Sequence, residues 1–202
     1  MVTKRLPAAK RKQQIAEKAL CILARDGPRA LTLQTLAKSV GVTDASLLRH
    51  FKDKQAIVHA AIELFGSLLA EDLPRDISDP IRRLGAFFVR RLMTVRARPE
   101  LMLLAYSTSL RDAAGEDAAL VDEYIQESAR FIAGCVKEAQ QKGEIATDIP
   151  AQMWVWMIAG VMRGAVQSTP GLVLADAMSP ERAWELLEAI LRRGVGKQKA
   201  PK

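Results

Sequence analysis

The sequence predicts an all-α fold, and three observations predict it. Apolar residues recur at three- and four-residue spacing along most of the chain, the period of one helix face. No stretch of strand length alternates polar and apolar residues. The prolines fall between the periodic stretches, at Pro28, Pro74, Pro80, Pro99, Pro150, Pro170 and Pro180, where a helix can start or stop but not continue.

Nine helices are expected in order. The first runs from about Ala8 to Asp26, turns Ile15, Ala19, Ile22 and Leu23 inward, and stops at Gly27-Pro28. In the second, Leu33, Leu36, Ala37 and Val40 lie at i, i+3, i+4 and i+7. Gly41 ends it, because a helix C-terminus often needs positive φ. Thr43 opens the third as an N-cap, with Leu47 and Phe51 facing the core and Ala45, Ser46 and Arg49 outward. A fourth begins near Lys54, carries Ile57, Ala61, Phe65 and Leu68, and ends before Pro74. Asp79-Pro80 starts a fifth, to about Ala97, burying Ile81, Leu84, Phe88, Leu92 and Val95. Pro99 opens a sixth, apolar at Leu101, Met102, Leu104 and Ala105 and broken at Ala113-Ala114-Gly115. The seventh is long, roughly Glu116 to Lys142, with Leu120, Tyr124, Ser128, Phe131 and Cys135 on its inner face and Gly143 as cap. The eighth, Pro150 to about Gln167, is strongly apolar, and a turn at Ser168-Thr169-Pro170-Gly171 follows. Ser179-Pro180-Glu181 starts the ninth, with Trp184, Leu187, Ile190 and Leu191; beyond Gly194 the chain is polar.

Charge divides the chain unevenly. Residues 1–54 hold twelve Lys and Arg against four Asp and Glu, a net +8, while the remainder holds eighteen against nineteen, a net −1. Phosphate neutralisation is one use of such an excess, and it makes binding salt-dependent. The other reading is a solvated basic tail without a partner.

Two cysteines, Cys21 and Cys135, stand far apart without a CxxC or Cys/His cluster, so neither a zinc site nor a disulfide framework is expected. They read as small buried residues in a reducing cytosol. No apolar run follows the basic N-terminus, so no secretion signal is expected. The longest apolar stretch, Ile149 to Val166, contains Gln152 and Arg163, which argues against a lipid-facing helix. With two His residues, no nucleophile elbow, no paired-carboxylate motif, no phosphate-binding glycine loop and no metal-ligand spacing, an enzyme has little support.

The most informative segment lies between Thr32 and Lys54. A helix, a turn containing Gly41, and a second helix with small, polar and basic outer residues are the parts of a helix-turn-helix, whose second helix enters the DNA major groove. Thr32, Ala37, Gly41-Val42-Thr43, Arg49-His50-Phe51 and Lys54 stand in the order found in the N-terminal domain of TetR-type transcriptional regulators, which this segment resembles from Ile15 to Ala60. One position departs: Leu48 stands two residues before His50, where the family usually has a Tyr that touches phosphate.

The resemblance implies a nine-helix architecture. Residues 1–54 would form the DNA-binding domain, a helix over 54–71 would link it onward, and 72–202 would bind an effector and dimerise. Thr32 and Lys54 would meet phosphates at helix N-termini, and Thr43, Leu48 and His50 belong to the same DNA-facing set. Ala45, Ser46 and Arg49 are the candidates for base edges. Arg49 would either bond guanine in bidentate fashion or hold a phosphate. Asp44 complements its helix dipole or accepts from a cytosine amino group. Lys10, Arg11 and Lys12 reach flanking phosphates or a minor groove, or form a mobile tail.

In the body, Gly160 and Gly164 are four apart with Ala159 and Ala165 beside them, so two helices could approach closely there. With Trp184, Leu187 and Leu191 of the last helix this reads as a homodimer interface; the other reading is a central core helix. Arg163, the single charge between Asp148 and Asp176, would pair with Glu185 or Glu188 or hold an effector carboxylate. A pocket for a hydrophobic or amphipathic small molecule is expected among Phe87, Phe88, Arg91, Met102, Tyr106, Tyr124, Phe131, Trp154 and Met157, residue types that also serve as plain core. The expected protein is therefore a cytoplasmic dimeric regulator, a repressor that binds a pseudopalindromic operator in double-stranded DNA and leaves it when an effector binds. No cofactor, metal or membrane is expected. The alternative is an architectural or partner-recruiting DNA-bound factor without a small-molecule switch.

Overall fold

In the computed structural model, residues 7–166 and 178–193 are described, apart from the side chains of Leu101, Met102, Ala165 and Val166. All nine expected helices form within them, and no strand occurs among the described residues. They are α1 (Ala8–Asp26), α2 (Leu33–Val40), α3 (Asp44–Leu48), α4 (Lys54–Glu71), α5 (Pro80–Ala97), α6 (Pro99–Ala105), α7 (Ser109–Ala114), α8 (Ala118–Gln141), α9 (Ala151–Val166) and α10 (Pro180–Arg193). The number exceeds nine because the expected sixth helix is two, α6 and α7. Between them Thr108 Oγ1 donates to Asp112 Oδ2 at 2.7 Å, and Ser109 N donates to Ser107 Oγ at 3.3 Å. A hydroxyl that bonds the backbone locally offers it an alternative to the helix, and Ser107 Oγ does so for the Ser109 N–H at the break. The turn expected at Ser168–Gly171 and the tail after Gly194 lie outside the described residues.

The chain divides into two compact units, one of residues 1–70 and 98–125, the other of residues 71–97 and 126–202. In the first, α1 packs against α2, α6 and α7. Ile15, Ala19, Leu23, Leu36, Leu47, Ile57, Ile62 and Phe65 are essentially inaccessible and form its core with Leu104 and Leu110. Each of the Ile, Leu and Phe side chains among them stabilises by roughly 1.5–3 kcal/mol relative to exposure. The core thus holds both short helices of the motif, through Leu36 and Leu47.

The second unit is organised on α5, which packs against α9 and α10. Phe88 meets Trp184 with centroids 5.8 Å apart, and Phe87 meets Phe131 at 5.4 Å. A Cβ at Gly85 would lie 2.6 Å from the Trp184 indole Nε1, so the indole rests on bare backbone. Glycine inside a helix costs about 1 kcal/mol relative to alanine; here the absence of a side chain makes the contact possible. Beneath these rings runs a buried ion pair: Arg91 Nε donates to Asp72 Oδ2 at 2.7 Å, Thr94 Oγ1 donates to Asp72 Oδ1 at 3.0 Å, and the guanidinium lies 5.1 Å from the Phe87 ring centroid. Burial of both charges is tolerable because each is matched by the other and by hydrogen bonds. Cys135 is buried on α8, accepting from Arg83 Nε at 3.3 Å; burial pushes its thiol up, against the pull of that guanidinium.

Candidate nucleic-acid interface

The motif is built from its caps. Thr32 Oγ1 accepts from Thr35 N at 3.1 Å while Thr35 Oγ1 accepts from Thr32 N at 3.0 Å, a reciprocal capping box that fixes where α2 begins. Gly41 ends α2 in the left-handed region, φ 73 and ψ 40, with Gly41 N donating to Lys38 O at 3.3 Å and Val42 N to Ala37 O at 3.0 Å. That geometry turns the chain within two residues and is the reason glycine stands there. Thr43 Oγ1 then accepts from Ser46 N at 3.2 Å and starts α3. Asp53 Oδ1 accepts from Ala56 N at 2.7 Å and starts α4, placing Lys54 in its first turn with its side chain exposed.

With Leu47 anchored in the core, the opposite face of α3 is open to solvent. Ala45, Leu48 and Arg49 are exposed on it, Ser46 is half-buried at its edge, and Arg49 Nη2 donates to Ser46 Oγ at 3.1 Å. Thr43 and Asp44 are exposed at the start of the helix, so Asp44 sits where its charge complements the dipole. His50 is half-buried. Of the basic residues before the motif, Lys12 lies over the Phe51 ring, 5.6 Å from its centroid, and Arg11 Nη1 donates to Gln14 Oε1 at 2.8 Å. Thr32, Thr43, Ala45, Ser46, Leu48, Arg49, His50 and Lys54 thus belong to one short run, and of these eight only Leu48 is a large apolar side chain.

One constellation has no counterpart in the sequence reading. His59 Nδ1 lies 3.0 Å from Asp117 Oδ2, and its Nε2 lies 3.6 Å from Glu63 Oε1. The hydrogen bond to Asp117 raises the imidazole pKa above its ordinary value; slight burial opposes this, and the charges of Asp117 and Glu63 add to it. Gln55 Nε2 donates to Ala114 O at 2.7 Å in the same neighbourhood. Both bonds tie α4 to residues nearly sixty positions later in the chain. The i, i+4 spacing of His59 and Glu63 was visible in the sequence, whereas Asp117 was not a foreseeable partner.

The body residues expected to line a pocket or an interface take several positions. Phe88 and Trp154 are fully buried in the second unit's core, Phe131 is half-buried, and Arg91 is held by Asp72. Tyr106 and Tyr124 are half-buried in the first unit, Tyr124 with its ring against Gly66. The side chain of Met102 lies outside the described residues. Met157 is not a core residue: it stands on the exposed side of α9 with Met153, Trp156 and Val161. Gly160 and Gly164 lie on that same side, with open space around both; Ala159 is half-buried and Arg163 exposed. On α10 the face differs from the expected one. Trp184 and Leu187 are turned into the chain's own core and Leu191 has no surface left for a partner, because α10 uses this stripe to pack on α5; its exposed apolar residues are Leu186 and Ile190. Glu185 pairs with Arg182 and Glu188 with Arg192, each within α10. Among the described residues no helix is long and apolar enough to cross a membrane.

A capped pair of short helices, the second exposed on one face and followed by Arg49, on an all-α frame, is the arrangement of a helix-turn-helix. Residues 15–65 match the family model of bacterial regulatory proteins of the tetR family. A relative, the HTH-type transcriptional regulator YvkB of Bacillus subtilis (strain 168), is 25% identical over 146 residues, 69% of this chain and 73% of its own length. The fold is similar to that of the ketosteroid transcriptional regulator KstR2 of Mycobacterium tuberculosis, with TM-score 0.72 at 18% identity, covering 98% of this chain and 100% of that one. AibR in complex with isovaleryl coenzyme A and operator DNA gives TM-score 0.72 at 19% identity, over 90% of this chain and 98% of that one. FadR of Bacillus subtilis in complex with stearoyl-CoA gives 0.63 at 18%, over 91% and 98%. Residues 15–65 thus match the DNA-binding domain of the tetR family, and the chain as a whole is similar in fold to regulators of that type.

Proposed function

We propose that the protein is a cytoplasmic repressor that binds a pseudopalindromic operator as a homodimer and is released by a small hydrophobic or amphipathic effector. Residues 1–54 meet DNA, α4 carries the connection, and residues 72–202 dimerise and take the effector. The observation that carries this reading is the coincidence of the open face of α3 with the whole net positive charge of the chain. Two further observations support it. The exposed face of α9, with Met153, Trp156, Met157 and Val161 around two glycines, is the kind of surface that a second copy covers. AibR and FadR, which share the fold, hold acyl-CoA thioesters in the structures compared, and an apolar body on a polar carrier is an amphipathic effector. Release would follow from differential affinity: the effector favours a conformer whose recognition helices no longer match the operator spacing.

The test is a gel shift of the purified protein on DNA from just upstream of its own gene, at two salt concentrations, with and without candidate effectors. Dimeric, salt-sensitive binding to one short inverted repeat, relieved by an effector, is the expected result. A second reading, an architectural or partner-recruiting factor, draws on the complete burial of Phe88 and Trp154, which leaves neither available to a ligand without movement. Binding that ignores sequence and every effector would replace the first reading with the second.

A further inference from the structure

The exposed face of α3 has two flanks of different chemistry. On one, Arg49 and Ser46 are joined by the 3.1 Å hydrogen bond. On the other, Ala45 and Leu48 stand three residues apart, neighbours on a helix surface, and neither carries a hydrogen-bonding group. Leu48 is 45% exposed while the adjacent Leu47 is wholly buried. Core packing therefore does not account for an isobutyl group at this point. Phosphate does not account for it either, since leucine has nothing to donate.

Thymine is the base that presents an apolar group, its C5 methyl, to the major groove, and small or branched apolar side chains contact it there. We propose that Leu48, flanked by Ala45, reads a thymine methyl, so that this position determines sequence specificity rather than anchoring the backbone. The inference rests on the reading of α3 as the recognition helix and adds to it the base that one flank selects. Arg49 is one residue further along the same face, so the selected thymine lies beside the base or phosphate that Arg49 meets. The operator should therefore carry an invariant thymine at that place in each half.

Uracil tests this directly, because it keeps every hydrogen-bonding group of thymine and lacks only the methyl. The full-length protein is first used to select its binding site from random duplexes. Each thymine of the selected site is then replaced singly by uracil, and affinities are measured for the wild type and for Leu48→Ala. The expected result is one thymine per half whose replacement weakens the wild type about fourfold, the effect of one buried methyl, and leaves Leu48→Ala unchanged. Leu48→Gln, similar in length, replaces the alanine variant if that one does not melt like the wild type. Indifference to uracil at every position, or equal losses in wild type and variant, would overturn the inference while leaving the regulator reading intact. Failure to select any sequence would overturn both, and it would be seen before any uracil is introduced.

Discussion

The third helix, α3, and α9 both hold side chains in water, but of different kinds. Around α3 the exposed residues are Thr43, Asp44, Ala45, Leu48 and Arg49, mostly small or polar, and they sit in the segment that carries the chain's net positive charge. On α9 they are Met153, Trp156, Met157 and Val161, with Trp156 65% exposed. Inside, the contrast reverses. The first unit's core is a cluster of apolar side chains, whereas the second encloses the Arg91–Asp72 pair. A surface that will meet a hydrated polyanion can be charged and still be stable alone. A contiguous apolar surface of this kind is a liability in water unless something covers it. The first unit thus leaves little apolar surface around α3, whereas the second leaves an apolar face on α9 that the proposed homodimer would cover.

The largest effect should come from the second unit's interior. Asp72→Ala removes the carboxylate from a nearly inaccessible guanidinium and is expected to cost about 3–5 kcal/mol in urea unfolding; a loss below about 1 kcal/mol would mean water reaches Arg91. Next is the apolar face of α9. Trp156→Glu should weaken self-association by about thirtyfold or more, the loss of one buried aromatic anchor, read by sedimentation velocity, with the helical signal unchanged. An unaltered oligomeric state would assign that face to a different partner. On the charged side, Arg49→Ala is expected to reduce operator affinity by about 1–3 kcal/mol, and the salt slope tells its role. A slope lowered by about one marks a phosphate contact; an unchanged slope with relaxed sequence preference marks a base contact.

The smallest effect concerns His59, whose side chain is 46% exposed. Its pKa is raised in the folded state by Asp117 and then Glu63, so protonated His59 is the stabilising form. That contribution is complete below the ordinary imidazole value of about 6.5 and fades as pH rises through the raised folded value. The Tm difference between wild type and His59→Gln should therefore shrink between about pH 6 and pH 8. A difference that grows with pH would show that the neutral ring matters instead.

The sequence made the motif legible because its determinants are local. Thr32, Gly41 and Thr43 cap helices within four residues of themselves, and all three take the roles their types predict. Leu47 and Phe51 are buried as their spacing implies. The break at residues 106–108 was harder, since it contains neither Gly nor Pro; the signal was the Ser107-Thr108-Ser109 run, whose hydroxyls compete with the helix. On α10 two apolar stripes coexist, and periodicity alone does not say which one packs on α5. The Arg91–Asp72 pair joins residues nineteen apart across a turn, so only the tertiary structure reveals it.

The shortness of α3 limits how much sequence one copy can specify. From Thr43 to Arg49 the reading surface is about 10 Å long at 1.5 Å per residue, or about three base-pair steps of 3.4 Å. Three positions distinguish roughly 64 words, and two copies roughly 4,000, whereas a genome offers about a million or more competing sites. Measured as information, even a pair of these helices supplies about half of a unique address. The remainder has to come from the stiffness and groove width of the DNA between and around the words, so changes to bases that no side chain touches should alter where this protein settles.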